Sequence, residues 1–342
     1  MFGLAMDTLN RLAYRIPGRP RQVQLEVTNR CNLDCPMCPR EVMDIELEHM
    51  EWDTFRTVVD KLHGDEDITL TGWGEPFLHP RIFDMIRYCK DRGHTVRITS
   101  NGLFPKPEIA DAIVASGLDA LTFSIDSVEG EVDSGHASHK ALKNIERLPK
   151  IRQNGKPYLR LQATLHGDGG DALCAVIEYG ARHGYDAVNV GRVDRKYDAS
   201  LTRPGPVEEA RIFEQADRRA RALGIQLDWL QYGVSRGLVR WFYKLLRKKL
   251  HRSGRYCLKT FDYTYITREG QVTPCCLLPE KKVGDALAGD LDAIWSNADY
   301  EHFREHYRDT CGKCDLWTVD MVDMPDSAGT TSTPPRPEPA LS

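Results

Sequence analysis

The feature that most limits the possible folds is a repeated alternation of strand-like and helix-like runs between residues 22 and 190. In the helix-like runs, apolar residues recur at helical spacing. The predicted strands are 23–27, 68–71, 95–99, 120–124, 159–165 and 187–190, and the predicted helices are 52–62, 81–91, 107–116, 138–153 and 172–183. Such units predict an α/β fold whose parallel strands are joined by right-handed crossovers, in a sheet that is open or curved into a partial barrel.

Three cysteines, Cys31, Cys35 and Cys38, follow the first predicted strand. Their C-x3-C-x2-C spacing allows three thiolates to bind three irons of a 4Fe-4S cluster, and it leaves the fourth iron open to a small molecule. A zinc ribbon would need a second close pair, yet the next cysteine, Cys89, is isolated. A disulfide framework is typical of small secreted domains rather than of a chain of 342 residues. The loop therefore predicts a cluster at the carboxyl rim of the strands, where such folds carry their chemistry.

The composition is that of a globular protein, and cytoplasm is the expected location. Apolar residues make up 41% of the chain and the net charge is −4, which argues against nucleic-acid binding over the whole surface. No run approaches the roughly 18 apolar residues of a membrane-spanning helix. Residues 1–15 lack the apolar core and the cleavage site of a signal peptide.

The cysteine loop and the repeated β/α units resemble the radical S-adenosylmethionine (SAM) superfamily over residues 20–192. The resemblance implies a partial (β/α)6 TIM-like barrel with a catalytic 4Fe-4S cluster, whose open iron is chelated by SAM. It also implies that an electron from the cluster cleaves SAM to methionine and a 5′-deoxyadenosyl radical. Met37 stands where the family usually has an aromatic residue, and its thioether can still pack against adenine.

The segment TGWGEP, residues 71–76, closes the second predicted strand and resembles the family's GGEP motif. That motif binds the SAM ammonium group, so the resemblance assigns this role to Gly74 and Glu75. Glycine lets the backbone approach a ligand, and a carboxylate attracts a cation. The alternative is an ordinary strand-to-helix turn, to which Gly-Glu-Pro is also suited.

Small polar residues close the third and fourth predicted strands and can hydrogen-bond ribose hydroxyls. The resemblance carries this role to Ser124 and Asp126, and Asn101 is a further candidate. The alternative is that these residues cap the helices that follow them.

Five more cysteines lie between residues 253 and 322. Cys257, Cys275, Cys311 and Cys314 would complete a four-thiolate site, since Cys275 ends a predicted hairpin strand and the CGKC turn presents two thiolates. The arrangement resembles the SPASM/twitch domain of many radical SAM enzymes, and the short, one-cluster twitch form fits best. It implies a second, auxiliary 4Fe-4S cluster. If the segment is a strand, Cys276 points away from Cys275, and it is expected to be a packed thiol.

A zinc site is the alternative for this region. His302 and His306 are four positions apart on a predicted helix, just before Cys311 and Cys314. Two imidazoles and two thiolates can hold zinc, although this reading leaves the other cysteines unexplained.

The predicted domains are an N-terminal helical extension (1–20), a radical SAM partial barrel (21–192), bridging helices (193–252), a small C-terminal α+β auxiliary-cluster domain (253–324) and a disordered tail (325–342). Residues 236–252 are predicted to form a basic amphipathic helix. It is expected either to pack as a bridge or to contact an acidic lipid surface or an acidic substrate peripherally.

The predicted function is hydrogen abstraction from a substrate for a net oxidation or a cross-link, with the auxiliary cluster as electron acceptor. The spacing of Cys257 and Cys275 is similar to that of an aminocyclitol dehydrogenase, and peptide maturases use related domains. A sugar- or alcohol-like molecule and a peptide are therefore both candidate substrates, with flavodoxin or ferredoxin as electron donor. The alternatives are a cofactor-assembly or maturation factor for a partner metalloenzyme, and a zinc/iron-sulfur binding protein without radical chemistry.

Overall fold

A computed structural model describes residues 16–42, 45–128, 139–167, 169–193, 200–229 and 261–311. The strands in this part of the chain are β1 Gln22–Leu25, β2 Asp67–Leu70, β3 Thr95–Ser100, β4 Ala120–Ser124, β5 Tyr158–Leu165, β6 Ala187–Arg192, β7 Gln226–Trp229, β8 Tyr263–Ile266, β9 Gln271–Thr273 and β10 Gly284–Asp285. The helices are α1 Trp52–Val59, α2 Ile82–Asp91, α3 Ile109–Ala115, α4 His139–Ile151, α5 Gly170–His183, α6 Pro206–Leu223, α7 Leu291–Trp295 and α8 Ala298–Cys311. Two 3-10 turns lie at Pro39–Val42 and Pro76–Leu78.

The strands form a single sheet in the order β10-β9-β8-β1-β2-β3-β4-β5-β6-β7. From β1 to β7 each strand runs parallel to the next. The six strands predicted from the alternation are β1 to β6, so the α/β partial-barrel prediction is confirmed. Predicted and observed helix ends differ by a few residues; α1 ends at Val59 rather than at residue 62 because Gly64, with φ of +93°, turns the chain toward β2.

The C-terminal strands extend the same sheet from its other edge. Strand β8 pairs in parallel with β1, opposite the side that β2 occupies. Strands β9 and β10 then continue as antiparallel neighbours. The hairpin between β8 and β9 turns at Gly270, whose φ of +87° favours glycine. The cysteine region after residue 270 is thereby joined to the first strand of the barrel.

The two faces of the sheet differ in polarity. Because strand order follows chain order, right-handed crossovers place the helices between β1 and β7 on one face. That face carries the apolar core, in which every second residue of the strands, such as Leu25, Ile68 and Leu161, packs against the helices. The alternate residues lie on the opposite face, here called the inner face, and most of them are polar.

Specific contacts fix the C-terminal segment against the barrel. Lys61, after α1, donates through its ammonium group to the carbonyl oxygens of Ala286, Leu287 and Gly289 at 2.6–3.0 Å. The indole N–H of Trp295 donates to the carbonyl oxygen of Pro17 at 2.7 Å. The two regions are therefore held in one arrangement.

Several predictions lie outside the described residues: most of the extension at 1–20, the basic helix at 236–252 and the tail at 325–342. Within the described ranges, no helix has the length and apolar character needed to cross a membrane.

Candidate active site

The cysteine loop follows β1 and is pinned at its base. The side chain of Thr28 donates to the carbonyl oxygen of Glu48 at 3.1 Å, and the Asn29 amide donates to the carbonyl oxygen of Glu46 at 2.8 Å. The backbone N–H of Glu48 donates back to the Asn29 side-chain oxygen at 2.6 Å. These hydrogen bonds hold the start of the cysteine loop in place, and with it the position of the thiols.

The three thiols of the loop lie close to the protein surface, with Cys35 buried and Cys31 and Cys38 half-buried. The backbone N–H of Cys38 donates to the carbonyl oxygen of Cys35 at 2.9 Å, which folds the C-x2-C half into a turn. Burial raises the pKa of the Cys31 thiol. The side-chain amide of Asn101 lies 3.7 Å from the Cys31 sulfur and is placed to donate to it.

This donor set fits a 4Fe-4S cluster. In the described ranges, no three His, Cys, Asp or Glu side chains converge closely enough to hold one metal ion. A 4Fe-4S cluster does not need such convergence, because each thiolate binds a different iron. The amide of Asn101 beside the Cys31 sulfur is the kind of hydrogen bond that tunes iron-sulfur potentials.

Gly74 follows the end of β2 and lies against the start of the cysteine loop. Its N–H donates to the carbonyl oxygen of Thr28 at 3.1 Å, and the N–H of Glu75 donates to that of Arg30 at 2.8 Å. A Cβ atom at Gly74 would overlap both carbonyl oxygens. This close approach, rather than freedom at a turn, explains the glycine.

Glu75 is a buried acid, 2% exposed, at the rim of the sheet. Its carboxylate accepts hydrogen bonds from the N–H of Phe77 at 3.0 Å, the hydroxyl of Ser100 at 2.9 Å and the N–H of Asn101 at 2.7 Å. Burial outweighs these bonds and raises the pKa of Glu75 to about 7. The acid therefore joins the ends of β2 and β3 and is sensitive to a nearby cation.

Asn101 connects three parts of the site. Besides its contacts with Glu75 and Cys31, its side-chain amide donates to the Asn32 side-chain oxygen at 2.8 Å. Its own side-chain oxygen accepts from the N–H of Leu103 at 2.8 Å. Asn101 thus orients the cysteine loop as well as the end of β3.

The remaining predicted cofactor residues line the same rim. Ser124 ends β4 and is half-buried, while Asp126 is buried and accepts from the N–H of Thr164 at 2.7 Å. Asp126 therefore ties the end of β4 to β5. Met37 is half-buried within the cysteine loop.

The C-terminal cysteines of the described ranges meet in a small apolar cluster. Cys275 is buried with Leu278, Phe303 and Tyr307, and Cys276 and Cys311 pack against them. Cys257 and Cys314 lie outside the described residues. This apolar cluster of side chains brings together thiols from the segment after β9 and from the end of α8. A metal centre shared by the two segments requires such proximity.

Strand β9 ends at Thr273, so Cys275 and Cys276 do not alternate along a strand. The chain turns there, and the N–H of Leu278 donates to the carbonyl oxygen of Cys275 at 3.0 Å. Both cysteines contact the same cluster. Buried Tyr263 has a raised pKa, caused first by its burial and then by Cys276 and Cys275 beside it.

Trp73 connects the segment at residues 71–76 to the C-terminal cysteines, a contact that the sequence did not predict. Its indole N–H donates to the carbonyl oxygen of Cys276 at 3.2 Å. Its backbone N–H lies 3.4 Å from a carboxylate oxygen of Glu26, a buried acid whose pKa is raised by burial. The signal was available in part, since Trp73 replaces a glycine of the GGEP motif.

The pair proposed for zinc is exposed on α8. The rings of His302 and His306 stack with centroids 4.3 Å apart, and His306 bonds through Nδ1 to the carbonyl oxygen of His302 at 2.9 Å. Their helix is kinked at His306. Cys311 packs with Cys275 and Cys276.

Comparison with known proteins identifies both halves of the chain. Residues 25–167 match the radical SAM superfamily, and residues 257–315 match SPASM, an iron-sulfur cluster-binding domain. Residues 25–167 therefore form a radical SAM domain, and residues 257–315 form a C-terminal SPASM domain. The protein is an enzyme. Its cofactors are SAM and a 4Fe-4S cluster in the barrel, and the SPASM domain binds auxiliary iron-sulfur clusters.

Two relatives match along most of their length. A protein of Pyrococcus furiosus named tungsten-containing aldehyde ferredoxin oxidoreductase cofactor-modifying protein is 28% identical, over 86% of this chain and 87% of its own. The AdoMet-dependent heme synthase of Nitratidesulfovibrio vulgaris is 25% identical, over 86% and 84%.

A solved structure shares the fold. SuiB of Streptococcus suis, bound to its precursor peptide SuiA, superposes with a TM-score of 0.69 at 13% identity and covers 88% of this chain and 71% of its own.

Proposed function

We propose that the protein abstracts hydrogen from a bound substrate and completes a net oxidation or cross-link with the help of its auxiliary cluster. The observation that carries this proposal is the bond between Trp73 and Cys276, which joins the SAM-binding motif to the auxiliary cysteines. A hydrogen bond between these two segments supports a reaction that uses both proposed cofactor sites.

Each thiol set has a distinct task. Cys31, Cys35 and Cys38 would hold the catalytic cluster and leave its fourth iron for SAM. Cluster and SAM together supply a one-electron reductive cleavage that yields a hydrogen-abstracting radical. Cys257, Cys275, Cys311 and Cys314 would hold the auxiliary 4Fe-4S cluster, and Cys276, which packs in the same apolar cluster as Cys275, would lie near it.

The rim residues would hold SAM. The carboxylate of Glu75 and the backbone at Gly74 suit the ammonium group, and Ser124 and Asp126 suit the ribose. Met37 suits the adenine face. Asn101 holds the cysteine loop beside Glu75 through the hydrogen bonds described above.

A flavodoxin or ferredoxin would supply the electron, and a peptide or a small polar molecule would be the substrate. A peptide substrate is supported by the fold shared with SuiB, which was solved with its precursor peptide. The SkfB maturation protein of Bacillus subtilis is also a relative, at 23% identity over 82% of this chain and 65% of its own.

The proposal is tested with anaerobically reconstituted protein, dithionite and SAM. We expect 5′-deoxyadenosine from the wild type and none from a variant with Cys31, Cys35 and Cys38 changed to Ala. A variant with Cys275 and Cys311 changed to Ala should still cleave SAM. Wild-type protein that binds SAM without cleaving it would favour a binding role instead.

Modification of another enzyme's cofactor is the second candidate. It is favoured by similarity to the cofactor-modifying protein and the heme synthase, both along more than four fifths of this chain. Incubation with deuterated candidate substrates separates the two, since only the true substrate transfers deuterium into 5′-deoxyadenosine.

A further inference from the structure

A row of polar side chains crosses the inner face of four neighbouring strands. The strand register pairs Ser124 with Gln162, Gln162 with Asn189, and Asn189 with Asp228. The strand residues on either side of these positions are buried in the apolar core on the helical face, so the row itself points inward. The row begins at Ser124, one of the residues proposed above to hold the ribose of SAM.

Arg160 lies on the same face, one inward position before Gln162 on β5. Its guanidinium lies 4.9 Å from the ring centroid of Tyr158. Within the described part of the chain, its Nε is buried without a hydrogen-bond partner, and no carboxylate pairs with it. By contrast, Arg97 on β3 donates through Nε to both carboxylate oxygens of Asp67, at 2.6 and 2.7 Å.

Asn189 also carries a buried side-chain atom without a hydrogen-bond partner among the described residues. That atom is its side-chain oxygen. Arg160 is in register with Ala187, two residues before Asn189, so the two side chains are diagonal neighbours on adjacent strands, about 8 Å apart at Cα. A buried polar atom without a hydrogen-bond partner is costly, so two such atoms on diagonal neighbours indicate a place that a ligand completes.

We propose that Arg160 and Asn189 form a substrate subsite for a carboxylate that carries a neighbouring N–H or O–H group. The carboxylate would pair with the Arg160 guanidinium, and the neighbouring donor would bond to the Asn189 side-chain oxygen. Substrates of this class include peptides with an acidic group and hydroxy or amido acids. The inference rests on the proposed function, because it assigns the subsite to the substrate of the radical reaction.

The carboxylate of Asp228, at the end of the row, favours a ligand group with a single negative charge. Asp228 is the register partner of Asn189 and accepts from the Gln226 amide at 2.8 and 3.0 Å. Its carboxylate repels a second negative charge, so a phosphate dianion is disfavoured relative to a carboxylate. Arg160 lies one strand from Ser124 and Asn189 two strands from it, so a substrate anchored there extends toward the proposed ribose position.

The test uses the full-length, anaerobically reconstituted protein with SAM bound. The probe is N-acetylglycine, which has one carboxylate and one amide N–H; N-acetylglycinamide is its uncharged counterpart and inorganic phosphate is the competing anion. Binding is measured by ligand-observed NMR. Arg160→Met should weaken N-acetylglycine binding about tenfold or more, and Asn189→Leu about two- to tenfold. Arg87→Met, which removes an exposed arginine on α2, is the matched control and should leave binding unchanged.

Tighter binding of the acid than of the amide, lost on changing Arg160 but kept on changing Arg87, supports the subsite. Equal binding of acid and amide, tighter binding of phosphate, equal loss in the control, or no binding by the wild type overturns it. Formation of 5′-deoxyadenosine is measured on the same samples. Arg87→Met should retain it, which shows an intact cofactor site; its absence from the wild type contradicts the proposed function, whereas the binding comparison still decides the subsite.

Discussion

The carboxylate of Glu75 accepts a hydrogen bond from the backbone N–H of Asn101 at 2.7 Å, and Asn101 in turn reaches Cys31 and Asn32. A single buried acid therefore connects the second strand, the third strand and the cysteine loop. The residues proposed to bind SAM are also the residues that set the position of the first thiol.

SAM affinity should depend on pH through Glu75. The carboxyl has a pKa of about 7 before SAM binds, and only its ionised form attracts an ammonium group. Affinity should therefore rise by up to about tenfold per pH unit below 7 and level off above it. Calorimetric titration with SAM between pH 5.5 and 8.5 checks this, and Glu75→Gln should abolish the slope. A slope retained in that variant would assign it to another group.

The same acid should affect stability in the opposite sense. Its pKa in the folded state is raised from 4.5 to about 7, so its contribution to stability is complete below the unfolded pKa and is lost as pH rises through about 7. A shift of this size corresponds to roughly 3 kcal/mol. Without SAM, the free energy of unfolding of Glu75→Gln should depend less on pH than that of the wild type, as measured by denaturant titration under anaerobic conditions.

Replacing Trp73 with Phe should disturb both cofactor sites at once. The variant loses the bond to the Cys276 carbonyl, which is worth about 0.5–1.5 kcal/mol. We expect an altered EPR spectrum of the auxiliary cluster and SAM affinity about two- to tenfold lower. Trp52→Phe, on α1 and packed on Phe55 and Tyr88, is the matched control. An auxiliary spectrum identical to that of the wild type would show that Trp73 does not couple the sites.

Gly74→Ala should impair assembly of the catalytic cluster. The added Cβ overlaps the carbonyl oxygens of Thr28 and Arg30, which cannot move without displacing the cysteine loop. Overpacking of this kind costs about 1–3 kcal/mol. Iron content and thermal midpoint should both fall, whereas Gly18→Ala, where nothing lies within 4 Å of an added Cβ, should leave them unchanged. Full iron incorporation in Gly74→Ala would contradict the steric account.

Iron analysis tests the two thiol sets separately. The as-isolated anaerobic protein should contain about eight irons per chain, and the triple Ala variant of Cys31, Cys35 and Cys38 about four. One equivalent of zinc with only four irons would instead support the site at His302 and His306. Changing both of these histidines to Ala should leave the iron content unaltered.

The barrel was predictable because its strands alternate with helices in chain order, and this alternation is a local pattern. The pairing of β8 with β1 was not, since Tyr265 meets Gln24 across most of the chain and no local signal encodes that register. Likewise, the sequence suggested Glu75 as a ligand for SAM. Its second task, joining two strand ends, depends on Ser100 and Asn101 arriving from another strand.

The contacts around the auxiliary cysteines were likewise not predictable from local sequence. A predicted strand through Cys275 separated it from Cys276, but the strand ends two residues earlier and both thiols meet one apolar cluster. The contact between Trp73 and Cys276 depends on the fold of the whole sheet. The ligand roles of the cysteines remain predictions that the iron analysis tests.

The most direct measurement is the formation of 5′-deoxyadenosine by the reduced holoenzyme with SAM, compared among three proteins. The account predicts product from the wild type, product from the variant with Cys275 and Cys311 changed to Ala, and none from the variant with Cys31, Cys35 and Cys38 changed to Ala. No 5′-deoxyadenosine from a wild-type protein with both clusters in place, or equal amounts from all three proteins, would contradict it.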